Sequence, residues 1–242
     1  MREGREGSAP PPLPPVDPAA AGRVPSTTLT PELLASLLVA GDEELATWAI
    51  RNSLLEEPRA VVFDGLVRDA MRLVGRNWET GRWDVAEEHL ASQTLLRALE
   101  AVREPAAPED RVGPRAVLAG VAGERHGIGL VCLDQVLGDA GWTVADLGVD
   151  VPAADLARFV ARHGADLVAL SAADPARVSA VGDAIAAARA ARPETRLPVV
   201  LGGRIAESAE AVADLDVDWA GTSLREVDRF ARELRARIAA AS

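Results

Sequence analysis

The feature that most constrains this chain is a change of period. From residue 113 onward, short apolar runs at Ala116 to Val121, Thr143 to Leu147, Leu167 to Leu170 and Val199 to Leu201 alternate with helical segments near 128–140, 152–163, 175–192 and 224–239. Strands that alternate with helices pair in parallel through right-handed crossovers, and both faces of such a sheet are covered. A weaker run near Asp216 to Ala220 predicts a fifth strand. Residues 113–242 therefore read as a Rossmann-like, doubly wound, five-stranded parallel sheet. Ligands of such sheets bind beyond the carboxyl ends of the strands. That is where Glu124 to Gly129, Ser171 and the pair Gly202 and Gly203 fall.

Before residue 104 the period is helical. Thr30 can cap a first helix and Pro31 suits its first turn, and Asp84 with Glu87 three residues on forms a capping box. Helices are expected over about 31–40, 43–55, 58–77 and 85–103. A connector as short as Glu79 to Trp83 implies antiparallel neighbours, so residues 29–104 read as a four-helix bundle. Pro105 to Asp110 breaks the pattern and marks a linker over 105–112. Residues 1–28 hold seven of the sixteen prolines and read as a disordered tail.

Composition removes several chemistries. The sequence has no lysine, so neither a P-loop nor a Schiff-base mechanism is open to it. Its one cysteine, Cys132, excludes an internal disulfide and lies in an apolar run that predicts a buried thiol. A formal charge of −11 opposes direct binding of nucleic acid, whose affinity rests on neutralising phosphates. No run approaches the roughly 18 to 20 apolar residues of a membrane span, and the expected location is cytoplasmic.

Three histidines are available, and His126 is the informative one. It stands two residues after Glu124, in Glu124-Arg125-His126-Gly127-Ile128-Gly129, on a loop that follows a strand and opens a helix. One imidazole, an acid to orient it and glycines that let a flat group approach the backbone are what a macrocyclic metal cofactor requires. Alone, an acid and a histidine in a loop are more often a solvated pair. The same glycines do not match the dinucleotide fingerprint. In the helical half, Trp78 is followed by Glu88 and His89 after nine intervening residues. Taken singly, these read as a helix-end aromatic, a solvated acid and a core histidine.

The stretch from Gly123 to Pro152, with Ser171 and Gly202-Gly203 downstream, resembles the cobalamin-binding domains of methionine synthase, corrinoid methyl carriers and light-sensing adenosylcobalamin repressors. That resemblance implies His126 as the lower axial ligand of cobalt, with Glu124 bonded to its far nitrogen and Arg125, Gly127 and Gly129 completing the loop. It also implies that the cofactor's nucleotide tail enters a slot lined by Ser171, Gly202, Gly203, Gly221 and Thr222. The family usually carries leucine where Ala173 stands. The pattern Trp78-x9-Glu88-His89 is similar to that of the light-sensing repressors alone, and implies that the bundle covers the upper face of the corrin with Trp78, Glu88 and His89. Those repressors carry a histidine after the tryptophan where this chain has Glu79, which leaves water or His89 as the upper ligand after light.

The resemblance implies a sensor without enzymatic activity that signals through a light-dependent homo-oligomeric state and a further protein partner, since a repressor's DNA-binding region has no counterpart in these 242 residues. A related group, the photocobilins, adds a linear tetrapyrrole. In this chain a bilin such as biliverdin would be held noncovalently. The other readings are a corrinoid methyl carrier of a methyltransferase system and a cofactor-storage or delivery protein.

Overall fold

The computed structural model describes residues 29–104 and 113–241. The expected tail over 1–28 and linker over 105–112 lie outside the described residues. The first part is helical: α1 (Pro31–Val39), α2 (Glu43–Leu54), α3 (Arg59–Val62), a π-helical segment (Phe63–Val67), α4 (Arg68–Glu79) and α5 (Val85–Ala101). Thr30 caps α1 through Leu33 N–H, and Asp84 and Glu87 form the anticipated capping box of α5. Helix α1 packs against α4 and α5, and α2 packs against α5. Leu34, Leu38, Ile50, Phe63, Leu95 and Leu99 fill the space between them.

The helix expected over 58–77 is interrupted. Phe63–Val67 winds as a π-turn, with an i→i+5 bond in place of i→i+4. The turn carries Asp64, 1 % exposed, into contact with the second half of the chain.

That half contains β1 (Arg115–Gly120), α6 (Ile128–Asp139), β2 (Thr143–Asp146), α7 (Ala153–His163), β3 (Leu167–Ser171), α8 (Val178–Ala190), β4 (Val199–Gly202), α9 (Ala209–Val212), β5 (Trp219–Ala220) and α10 (Leu224–Ala241). All strands are parallel, in the order β2-β1-β3-β4-β5. The fifth strand is shorter than the apolar run that announced it. Alternate strand residues divide between two faces. Val117, Val168 and Leu201 join Leu156 and Val160 of α7 and Val181 of α8 on one side. Leu118, Ala169 and Val200 join Leu137 of α6 and Val227 and Ala231 of α10 on the other.

Helix α6 is apolar on two sides, as a helix buried between layers must be. Leu130 and Leu137 face the sheet, whereas Cys132 and Val136 belong to the core of the helical region. Arginines reinforce the junction. Arg59 donates to Asp139 (2.8 Å) and Gln135 (2.8 Å), Arg103 to Asp134 (2.5 Å) and Arg72 to Glu207 (2.9 Å). Among the described residues no helix is long and apolar enough to cross a membrane.

Burial pushes the Cys132 thiol up to about 12; the Asp64 charge adds to the shift and Arg59 opposes it. A thiol so placed carries almost no thiolate at neutral pH. A disulfide reagent at about pH 8 should therefore leave Cys132 unmodified in the folded chain and titrate it fully after denaturation. Rapid labelling of the native protein would contradict its position in the core.

Candidate functional site

In the order β2-β1-β3 the chain reverses direction across the sheet between β1 and β3, the place where sheets of this kind bind ligands at their carboxyl edge. The loop after β1 lies at this edge. Its turn depends on Gly123, whose φ of +79° strains any residue with a Cβ. Asp150, itself at φ +56°, accepts from Gly123 N–H at 2.6 Å and ties the loop to the segment after β2.

Glu124 is 2 % exposed. One carboxylate oxygen accepts from the N–H groups of Arg125 (2.7 Å) and His126 (2.8 Å) and faces His126 Nδ1 at 2.5 Å. The other accepts from Ala173 N–H at 2.5 Å, just beyond β3. Burial pushes the carboxyl up, but the bonds from Ala173 N–H, His126 N–H and the His126 ring outweigh it, and the net shift is downward. A carboxylate in this position fixes Nδ1 as the protonated nitrogen of the ring and leaves Nε2 with its lone pair. The imidazole is 80 % exposed, so Nε2 faces the open edge.

The second element is a glycine-rich trough, along which the Trp219 ring packs beside Gly221. Ser171, Gly202, Gly203, Gly221 and Thr222 are all half-buried at the ends of β3, β4 and β5. Gly203 has φ +91°, and a Cβ there would lie 2.2 Å from Ala172 O. A Cβ on Gly202 would meet only ordinary contacts, Gly221 O at 3.8 Å and Leu170 O at 3.9 Å. Gly203 is thus demanded by the backbone, whereas Gly202 leaves space that the fold itself does not need. Gly129, in the first turn of α6, also faces open space, since a Cβ would meet nothing within 4 Å. Gly127 precedes that helix with its Cβ position close to Val149.

In the helical region, Glu88 accepts from Ser92 Oγ at 3.0 Å and faces His89 Nδ1 at 2.6 Å. His89 is 73 % exposed and Trp78, at the end of α4, is 49 % exposed. The core-histidine alternative is therefore set aside, whereas Trp78 does stand at a helix end. Among the described residues no hydrogen bond or ion pair joins Trp78, Glu88 or His89 to the Glu124 loop. Sequence reading missed Asp150 and the Ala173 N–H. The first could have been noticed as an acid beside Gly148 after the second strand; the second, a backbone group, leaves no residue code.

Two family models described as "B12 binding domain" match this chain, one over residues 114–228 and one over residues 32–103. It is 37 % identical over 165 residues to the HTH-type transcriptional repressor CarA of Myxococcus xanthus, covering 66 % of this chain and 53 % of the repressor. It is 24 % identical over 204 residues to dimethylamine corrinoid protein 3 of Methanosarcina acetivorans, covering 83 % of this chain and 94 % of that protein. The solved monomethylamine corrinoid protein of Methanosarcina barkeri shares its fold, with a TM-score of 0.66 at 19 % identity over 83 % of this chain and 96 % of that one. The chain spans about half the length of the repressors it matches.

The residues present fit cobalamin. Among the described residues no group of three or more His, Cys, Asp or Glu is placed to hold a metal ion. A single oriented imidazole suits a cobalt whose equatorial ligands all come with the macrocycle, and the space beside Gly202 suits the nucleotide tail. His126→Ala should keep the fold and shift the absorption spectrum of bound cobalamin towards the base-off form. Glu124→Gln should weaken binding by about 10- to 100-fold, the usual scale for a partner that orients a metal ligand. An unchanged spectrum and affinity would remove His126 from cobalt.

The Glu124 carboxyl is held below its unfolded value, so its contribution to stability is present above the unfolded pKa and lost as pH falls through the folded one. The difference in Tm between parent and Glu124→Gln should accordingly be present at neutral pH and vanish in acid. Gly203→Ala should destabilise by about 1–3 kcal/mol in chemical unfolding. Gly202→Ala should leave stability unchanged and lower cobalamin affinity.

Proposed function

We propose that this chain, which belongs to the B12-binding domain family, is a light sensor that binds adenosylcobalamin rather than an enzyme. Cobalamin binding is the property its two domains share with their family; the adenosyl form and the response to light are our reading. The observation that carries it is the exposure of Trp78 and of the Glu88–His89 pair on the helical region. A tryptophan, and an imidazole oriented by a carboxylate that is itself held by Ser92, add nothing to the core from there. They are suited to a face that covers the cofactor. The likeness to the CarA repressor supports the same reading.

When bound, adenosylcobalamin supplies a cobalt–carbon bond that light breaks. The protein's part is to hold and to respond. His126 would hold the cobalt, Trp78 would pack over the group that light removes, and His89, with Nδ1 engaged by Glu88, or water would be available to the cobalt afterwards. Without that group Trp78 would lose the apolar surface it covers, and the helical region would shift. We take the output to be a change in self-association that a further protein partner reads. A chain of formal charge −11 is not expected to bind duplex DNA by itself. A bilin such as biliverdin would be noncovalent, because the one cysteine is buried.

A corrinoid methyl carrier is the second reading, favoured by the match to nearly the whole of dimethylamine corrinoid protein 3. Spectra of the reconstituted chain before and after green light separate the two, together with its mass by light scattering. The sensor reading expects a photochemical change, a change in mass, and preference for adenosylcobalamin over methylcobalamin that Trp78→Ala diminishes. An inert cofactor, or methylcobalamin bound best and its methyl group passed to a thiol with a partner enzyme, would establish the carrier instead. Absorption bands beyond those of cobalamin itself would reveal a second chromophore.

A further inference from the structure

Asp64 has no part in the site as described, yet among the described residues it is the most heavily bonded carboxylate. It is 1 % exposed, on a π-turn of the helical region, and its partners belong mainly to the other half of the chain. Oδ1 accepts from Leu224 N–H (2.8 Å) and from Arg68 (2.9 Å). Oδ2 accepts from Ser223 Oγ (2.8 Å), Arg225 N–H (3.1 Å) and Arg225 Nε (3.4 Å). Leu224 and Arg225 open α10, and Ser223 Oγ in turn accepts from Glu226 N–H at 3.3 Å. The unpaired N–H groups of the first turn of an 18-residue helix are therefore satisfied by one carboxylate from a different region and by the serine that it holds. The negative charge also lies where the helix dipole favours it.

The segment immediately before this cap is Gly221–Thr222, one wall of the glycine trough. Arg68, held by Asp64, donates to Thr222 O at 3.0 Å. Gly221 N–H donates to Leu201 O at 3.0 Å on the other side. The wall is thus pinned from the sheet at one end and from the helical region at the other.

We propose that Asp64 is a positioning residue for the nucleotide-tail slot: it orders Gly221–Ser223 before the ligand arrives, and so sets affinity for the tail from the region that covers the opposite face of the corrin. This rests on the reading that the tail of cobalamin passes Gly221 and Thr222. A loop already ordered loses less freedom on binding, and a loop released from its cap must be ordered at the ligand's expense. Because binding free energies are reciprocal, occupancy of the slot tightens the contact between the two halves by the same factor.

The test compares cobalamin with cobinamide, which has the corrin and lacks the nucleotide tail, both carrying the same upper ligand and titrated in the dark by absorbance. The variants are Asp64→Asn, which keeps the shape and loses the charge and one acceptor, and Ser223→Ala, which decides the matter should Asp64→Asn fail to fold. Each is expected to weaken cobalamin by about tenfold, the scale of a lost charge-assisted cap, and cobinamide by less than about twofold. Hydrogen exchange at the Leu224 and Arg225 amides should rise in both variants and fall when parent protein binds cobalamin. Equal losses for both ligands would make Asp64 merely structural and overturn the proposal, as would no loss for either. If the parent itself binds cobalamin and cobinamide equally well, the slot is wrong rather than Asp64's part in it, and the proposal falls with the reading beneath it.

Discussion

The structure turns on a buried carboxylate placed where the sheet changes direction. Glu124 bridges the loop after β1 and the loop after β3, the two strands that flank the reversal, and does so through the N–H of Ala173 on one oxygen and the His126 segment on the other. An ionised group with 2 % exposure is tolerable only when its acceptor sites are filled, and here four donors fill them. The same bonds that make the charge bearable dictate the ring's tautomer and aim Nε2 outward. The outward orientation of the His126 ring is thus a by-product of the requirement that Glu124 be satisfied.

A second buried carboxylate repeats the logic between the halves of the molecule. Asp64 would be intolerable in the core of the helical region, yet the π-turn rotates it towards the N-terminus of α10, which needs an acceptor. Each side supplies what the other lacks. Helix α6 provides the apolar complement, giving Cys132 and Val136 to one core and Leu130 and Leu137 to another. The junction therefore combines a continuous apolar contact with polar bonds that admit one relative placement, a combination that favours a defined register over a sliding one.

Much of this was legible in the sequence, for reasons that differ by element. The parallel sheet announced itself because strands covered on both faces must be apolar throughout, and the capping box at Asp84 and Glu87 has a residue code. The His126 loop was legible because an acid, an imidazole and glycines fall within six residues. The π-turn was not, since an extra residue in a helix changes hydrogen bonding without requiring any particular side chain. Its trace in the sequence is Asp64 itself, a charge inside the run Val61-Val62-Phe63-Asp64-Gly65-Leu66-Val67, where an unpaired carboxylate would be costly. Every residue of α4 after the turn is rotated relative to an unbroken α-helix, so helical periodicity alone misplaces the last part of the segment.

The absence of lysine acquires a structural meaning at the junction. Arg59, Arg68, Arg72 and Arg103 all belong to the helical region, and each reaches a carboxylate, amide or carbonyl in the sheet half. A guanidinium can serve several acceptors in one plane, as Arg59 does with Asp139 and Gln135 and Arg68 with Asp64 and Thr222, which an ammonium on a flexible stem does less well. Arg68 and Arg72 lie in the first turns of α4, and Trp78 lies at its other end, about 15 Å away at 1.5 Å per residue. One rigid helix is therefore anchored to the Thr222 loop at its start and carries the exposed tryptophan at its finish. Any change in how the loop around Thr222 is held must be taken up at one of those two ends, because the middle of α4, through Ala70 and Val74, is locked in the core.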